Sequence, residues 1–306
     1  MRRQAGVAAV TAILIVAVAA SAAAVMLSRQ SAMLDQSMLV ATRAQADLYA
    51  QAGVDWARGV LDQDAHTSSI DSLDEGWAKP IAGLPVERAL VAGEIADEQG
   101  KFNLNDLVNG AAASAPDMKA FGRLLSGLGL APQLAEAVLD WIDTDQDLAG
   151  PGGAEDSYYL SLTRPYRAPN APMTQVEELY RVRGFDAATV AKLKPYISAL
   201  PARTTLNVNT ASDRVIAAVL DVTLEKAQQI VAERDRKPFA SAADLGERAG
   251  KMGIAVPGNV GDVKSDYFSV RVRVAQDDVQ LAVEALIRRG PSGPSGPSII
   301  WRRSVY

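Results

Sequence analysis

Apolar residues in this chain follow three patterns, each predicting a different element. From Val7 to Ser28 no residue is charged, and roughly 20 such residues are what a helix needs to cross a hydrocarbon core about 30 Å thick. Beyond that run Leu34, Met38, Leu39, Ala46, Tyr49, Ala50, Ala57 and Val60 recur at helical spacing, with no proline before Leu61. One long helix is predicted, apolar all round in its first half and amphipathic in its second. Gly53 and Gly59 weaken its end.

The second pattern is alternation. Phe268, Val270, Val272 and Val274 alternate with Ser269, Arg271 and Arg273, and Val279, Leu281, Val283, Ala285 and Ile287 alternate in turn, so two strands are predicted here. A third runs from Ile299 to Tyr306. It follows Gly-Pro-Ser triplets over 290–298, too few for a collagen helix and read as a flexible hairpin tip. Earlier, Ala89-Leu90-Val91 and Lys101 to Asn105, separated by Gly93 and Gln99-Gly100, predict a hairpin over 89–108. Helical spacing returns in Met118 to Leu125, Leu134 to Ile142, Val176 to Val182, Ala187 to Leu193 and Val215 to Leu220. The early and late strands are expected to share one sheet packed on the N-terminal helix, with a helical domain inserted between them.

Composition removes several chemistries. The chain has 306 residues, no cysteine and a single histidine, which excludes thiolate catalysis, disulfides and multi-histidine metal sites. His66 is expected to be an exposed loop side chain. A formal charge of -5 argues against nucleic acid as a partner, since phosphate binding calls for a basic face.

The richest local chemistry is Asp140-Trp141-Ile142-Asp143-Thr144-Asp145-Gln146-Asp147, followed by Gly150, Gly152, Gly153, Glu155 and Asp156. Alternating aspartates leaving a helix put hard oxygens on one side of a loop, and the glycines allow Glu155 to return towards them. Calcium is the expected occupant, held by a subset of Asp143, Asp145, Asp147, Glu155 and Asp156. The loop is not an EF-hand, because the twelfth position counted from Asp143 is Ala154. A solvated acidic loop and a catalytic carboxylate pair are the alternatives.

Met1 to Gly6 is a short basic leader, with Arg2 and Arg3, that abuts the apolar run directly. It resembles a type IV prepilin leader, which implies cleavage between Gly6 and Val7 by prepilin peptidase and methylation of the new terminus. A secretory signal peptide ending near Ala22-Ala23-Ala24 is the alternative. Arginine ahead of the helix keeps that end cytoplasmic and sends the body to the periplasm, as a single-pass inner-membrane protein. The fifth position after the cut is Thr11, where most pilin-like subunits carry a glutamate that neutralises a neighbour's amino terminus. That departure points to a subunit at a filament end. Residues Leu206 to Ser212, Ala227 to Val231 and Phe239 to Leu245 resemble the helix-hairpin-helix module of DNA-uptake proteins, but Asp221-Val222-Thr223 replaces the glycine-rich hairpin. This aspartate is expected to repel phosphate and to remove the tight turn.

Taken in order, the leader, Thr11, the run Gly93 to Asn105, the run Asp140 to Asp145 and the run Gly153 to Tyr159 resemble the type II secretion minor pseudopilin K family. The resemblance implies an α+β fold: a pilin-like N-terminal helix packed on an antiparallel sheet, with a large inserted helical domain. The chain then divides into a leader at 1–6, a transmembrane helix at 7–28, its periplasmic continuation at 29–62, a first β region at 63–108, an inserted α-domain with two helix-hairpin-helix-like subdomains at 109–264, and C-terminal strands at 265–306. The resemblance also implies a place at the tip of the pseudopilus, a role in its initiation and in protein export, and minor pseudopilins I and J as partners, J directly. Secreted substrates and the outer-membrane secretin are further expected contacts; catalysis is not expected. A DNA-binding or DNA-uptake pilin and a membrane-tethered carboxylate hydrolase are the rival readings.

Overall fold

A computed structural model describes residues 3–256, 261–290 and 296–305. Met1 and Arg2 of the leader, Tyr306 and the 291–295 part of the expected hairpin tip lie outside the described residues.

Helix α1 runs unbroken from Arg3 to Thr67. From Val7 to Ala41 it is exposed, and it is the one helix among the described residues long and apolar enough to cross a membrane. From Ala46 its surroundings change. Ala46, Ala50, Val54, Ala57 and Leu61, three or four residues apart, pack against Phe268, Val270, Val272, Val283 and Ile287 of the sheet. Gly53 does not end the helix. A Cβ there would stand 2.9 Å from Val272 Cγ1, so the glycine lets helix and sheet approach closely, against a helix-propensity loss of about 1 kcal/mol. No proline or glycine follows Gly59 until after the helix ends. His66 therefore lies in its last turn, with Nδ1 2.7 Å from the Asp62 carbonyl; it is exposed, but on a helix instead of the expected loop.

After α1 come β1 (Ile81–Val86) and β2 (Ala89–Asp97). A helical unit follows: β3 (Phe102–Asn103), β4 (Val108–Asn109), β5 (Ala112–Ala113), α2 (Ala115–Gly127), α3 (Leu134–Ile142), α4 (Asp156–Tyr159), a 3-10 helix (Val176–Arg181), α5 (Ala187–Leu193), β6 (Ile197–Ser198), β7 (Leu206–Asn207), α6 (Asp213–Leu220), α7 (Leu224–Arg236), α8 (Ala242–Lys251) and β8 (Gly261–Asp262). The chain then returns through β9 (Tyr267–Gln276), β10 (Val279–Arg288) and β11 (Ser298–Val305). The main sheet has the order β1-β2-β9-β10-β11 and is antiparallel throughout. This is the expected architecture of helix, antiparallel sheet and inserted helical domain.

The expected hairpin over 89–108 is displaced. β2 pairs back onto β1 across the two-residue turn Glu87-Arg88, with Glu87 in the left-handed region at φ 51°. Phe102-Asn103 instead pairs in parallel with Ile197-Ser198. Asp97 explains the break: its Oδ1 accepts the Gln99 N–H at 2.8 Å and bends the chain out of the sheet. Phe102 then stacks on Phe121 at 5.3 Å, inside the helical core that also buries Leu104 and Leu107.

A buried polar network joins the two parts. Arg289 clamps Asp71 through both guanidinium arms, Nη1 to Oδ1 at 2.6 Å and Nη2 to Oδ2 at 2.5 Å, and Nη1 also reaches Asp64 Oδ2 at 3.0 Å. Asn207 donates to Asp97 Oδ2 at 2.9 Å and to the Asp71 carbonyl at 3.1 Å, while Ser265 Oγ and Thr210 Oγ1 donate to the same Asp97 oxygen. The helical unit thus meets the sheet beside the last turns of α1. Val7 is about 85 Å away along the helix at 1.5 Å per residue.

Candidate metal centre

Helix α3 sets the position of the acidic loop. Glu136 and Asp140 lie one turn apart on it and both reach across: Glu136 Oε2 accepts the Gly152 N–H at 2.7 Å, and Asp140 Oδ1 accepts the Ala149 N–H at 2.9 Å. The loop closes so tightly that a Cβ on Gly153 would collide with Asp140 Oδ2. Arg183 fixes the far side, its Nη1 donating to the Gly153 carbonyl at 2.7 Å. Asn170, left-handed at φ 46°, donates from Nδ2 to the Asp145 carbonyl at 2.6 Å.

Within this frame one carboxylate oxygen each from Asp143, Asp145 and Glu155 lies within 4.8 Å of the others. Of the five candidate ligands, these three come together. Asp147 is exposed outside the group, its N–H held by Asp145 Oδ1 at 2.8 Å. Asp156 is turned to other work: Oδ1 accepts the Ala168 N–H at 3.1 Å and Oδ2 pairs with Arg167 at 3.1 Å. The sequence reading assigned no ligand role to Asp140, yet its side chain borders the same loop. Its spacing from Glu136, one helical turn, was the available signal.

The electrostatics are those of a site short of positive charge. Glu155 is 2% exposed, Asp140 0% and Asp143 8%, and Asp140 Oδ2, Asp143 Oδ1 and both Glu155 oxygens have no hydrogen-bond partner among the described residues. Burial first, then the charges of Asp140, Asp143, Asp145 and Asp156, push the Glu155 carboxyl up to about 8. Burial and the charges of Asp145 and Asp140 push Asp143 to about 6. Buried anionic oxygens without partners are costly. A hard divalent cation would satisfy them with the oxygen ligands calcium prefers, so the residues present fit that ion.

Gly6 and Val7 lie within the continuous helix α1, and the Thr11 hydroxyl is turned back to the Val7 carbonyl at 2.6 Å. The helix-hairpin-helix segment keeps its tight turn, correcting the expectation that an aspartate removes it: Asp221 takes the left-handed conformation at φ 56°, ψ 47°, which aspartate tolerates. Its neighbouring cations are engaged with the protein. Arg123 Nε donates to the Ala218 carbonyl at 2.8 Å and lies 3.4 Å from Asp221 Oδ1, and Arg214 Nη1 donates to the Gly127 carbonyl at 2.7 Å.

Comparison with known proteins adds an independent line. Two family models, both described as type II secretion system (T2SS), protein K, match residues 100–202 and 206–271. The chain is 35% identical to type II secretion system protein K of Pseudomonas aeruginosa, over 96% of this chain and 91% of that one. It is 32% identical to that of Aeromonas hydrophila, over 94% of each. Among solved structures it is similar to the crystal structure of the GspK-GspI-GspJ complex from the enterotoxigenic Escherichia coli type 2 secretion system, with a TM-score of 0.71 at 27% identity, covering 86% of this chain and 97% of that chain.

Proposed function

The chain belongs to the type II secretion system protein K family, and from that premise we propose that it is the minor pseudopilin that caps the pseudopilus tip, supporting its initiation and the export of proteins. It acts as an assembly subunit without catalytic work. Its partners are minor pseudopilins of the I and J kinds, the chains with which the similar K protein was crystallised. The apolar helix from Val7 anchors it once in the inner membrane after prepilin peptidase has removed Met1 to Gly6, and the body stands in the periplasm.

One observation carries the cap reading: the helical unit joins the body beside Asp64 and Asp71, at the end of α1 remote from Val7. A subunit stacking above would meet that bulk. Thr11 agrees, since its hydroxyl is satisfied by its own helix and it offers no carboxylate to a neighbour's amino terminus. Gold labelling of a tag in the helical unit should mark one end of assembled pseudopili, and label spread along the shaft sinks the reading. Intact mass should show loss of Met1 to Gly6 and gain of one methyl group; a terminus beyond Ala24 refutes the pilin-type anchor.

Calcium is proposed as a structural ion of the helical unit, held by Asp143, Asp145 and Glu155 with Asp140 beside them. Unpartnered buried oxygens support it. Thermal melting with and without chelator tests it, and an unchanged midpoint leaves an acidic loop that holds no ion.

A further inference from the structure

Between the end of α3 and the start of α5 the chain forms little regular structure: the four-residue α4 and the six-residue 3-10 helix are its only helices. Side chains hold it instead. At one end are the carboxylates of the candidate ion site. At the other, Glu178 Oε1 gathers the Thr174 N–H at 2.7 Å, the Thr174 hydroxyl at 2.9 Å and the Gln175 N–H at 3.2 Å. Next to that knot, Gln175 Oε1 and Glu177 grip Arg303 of β11, with Glu177 Oε2 at 3.0 Å from Nη1 and Oε1 at 3.1 Å from Nη2. β11 is the last strand in the sheet order.

Trp141 connects the two ends. It stands between Asp140 and Asp143, its ring meets Tyr159 edge-on at 5.3 Å, and its Nε1 reaches the other oxygen of Glu178 at 3.4 Å. Tyr159 follows Glu155 by one helical turn and stacks on Tyr166 at 5.3 Å. A shift of the α3 C-terminal turn or of Glu155 therefore moves groups that hold the Glu178 knot. Packed interiors transmit such shifts because they are close-packed and low in compressibility.

We propose that the ion site and the grip on Arg303 are one coupled element, so that cation binding at Asp143, Asp145 and Glu155 holds the helical unit against the edge strand β11, and loss of the ion loosens it. The inference rests on the calcium reading above. Coupling is reciprocal: if the ion strengthens the grip, releasing the grip must weaken the ion by the same factor.

The sign of that effect separates coupling from plain electrostatics. Removing an arginine from the surroundings of an acidic site should tighten cation binding, if it does anything, because a repelling charge is gone. Coupling demands the opposite. Calcium is titrated calorimetrically into the full chain in detergent. Arg303→Ala is expected to lower affinity about fivefold or more, the lower end of typical coupling. Gln175→Ala, which changes no charge and leaves the sheet's arginines in place, is expected to lower it likewise. Arg273→Ala, an outer-face arginine of the same sheet paired with Glu94 and outside the Glu284 contact that Arg303 also makes, should leave affinity unchanged or raise it. If both Arg303→Ala and Gln175→Ala bind calcium at least as tightly as the unaltered chain, the coupling is wrong and the calcium reading stands. Equal weakening by Arg273→Ala also overturns it. Absence of binding to the unaltered chain overturns the calcium reading itself.

Discussion

Two acidic groups in this molecule are both closely spaced and have opposite character. Asp64, Asp71 and Glu75 bring carboxylate oxygens within 4.8 Å of one another, as do Asp143, Asp145 and Glu155. In the first, Arg289 sits among the acids, pairing with Asp71 and Asp64, and Glu75 Oε2 accepts the Ser72 N–H at 2.7 Å and the Trp77 Nε1–H at 3.0 Å. In the second, three buried oxygens, Asp143 Oδ1 and both of Glu155, have no partner among the described residues, and neither has Asp140 Oδ2 beside them. Spacing alone does not mark a metal centre. The distinction is whether the chain supplies its own cation, which makes a weld, or leaves the charge to be met from solution.

The largest expected effect breaks the weld. Arg289→Ala would leave Asp71, fully buried, beside Asp64 with no counter-charge, and breaking a buried pair from one side costs about 3–5 kcal/mol. Urea unfolding monitored by circular dichroism should show a correspondingly lower midpoint. Calcium sharpens the test: if millimolar calcium restores the variant, the two groups are interchangeable and a built-in cation does not set them apart.

Next in size is the ion itself. Calcium at 100-fold above its dissociation constant should stabilise the native chain by about 2.7 kcal/mol, read as a chelator-sensitive melting temperature. Asp145→Ala should lose most of that shift. Glu155→Gln, compared with the unaltered chain above pH 8, is the more telling variant, because there it removes a charge that burial and four neighbouring carboxylates oppose. It should melt higher than the unaltered chain in chelator and gain less from calcium. If it melts lower in chelator, self-repulsion in the loop is not what the ion relieves.

The smallest effect belongs to a pair between these extremes. Burial works to raise Glu177, but hydrogen bonds from Arg303 and Lys194 outweigh it and hold the carboxyl at about 2, below its ordinary 4.5. A depressed folded-state value means stability that is present above 4.5 and is lost as pH falls through that value towards 2. Because the Glu177 side chain is 33% exposed, solvent screening holds the contribution to roughly 1 kcal/mol or less. Comparison of acid melting curves for the unaltered chain and Glu177→Gln should show a shallower acid limb in the variant. Identical limbs would remove Glu177 from the account.

How much of this was legible in the sequence depended on whether each signal was local. Periodicity located α3 and α5 with the observed bounds, because each presents its apolar face within a few residues. The alternation of Phe268 to Val274 read correctly because one face lies on α1 and the other is exposed or polar. The early hairpin was misplaced because the polar bend at Asp97 and the burial of Phe102 among helices depend on elements far downstream. At the acidic loop the run of aspartates was plain, but the fate of Asp156 was not, since Arg167 and Ala168 take it through a fold of the following segment. Arg289 and Asp71 are 218 residues apart. No window along the sequence could pair them.

The placement of the helical unit also bears on how the chain reaches its native state. β2 and β9 are neighbours in the sheet, with Asp97 opposite Phe268, yet about 170 residues separate them, and each doubling of a closed loop adds about 0.6 kcal/mol of closure entropy. High sequence separation slows folding. A unit that folds first brings its two ends together and turns that long excursion into a short, stiff connection, so formation of the central β2–β9 ladder should follow maturation of the insertion. In refolding followed by pulsed hydrogen exchange, protection should appear in α2, α3 and α6 before the amides of β9, and variants that slow the helical unit should delay the sheet by the same factor.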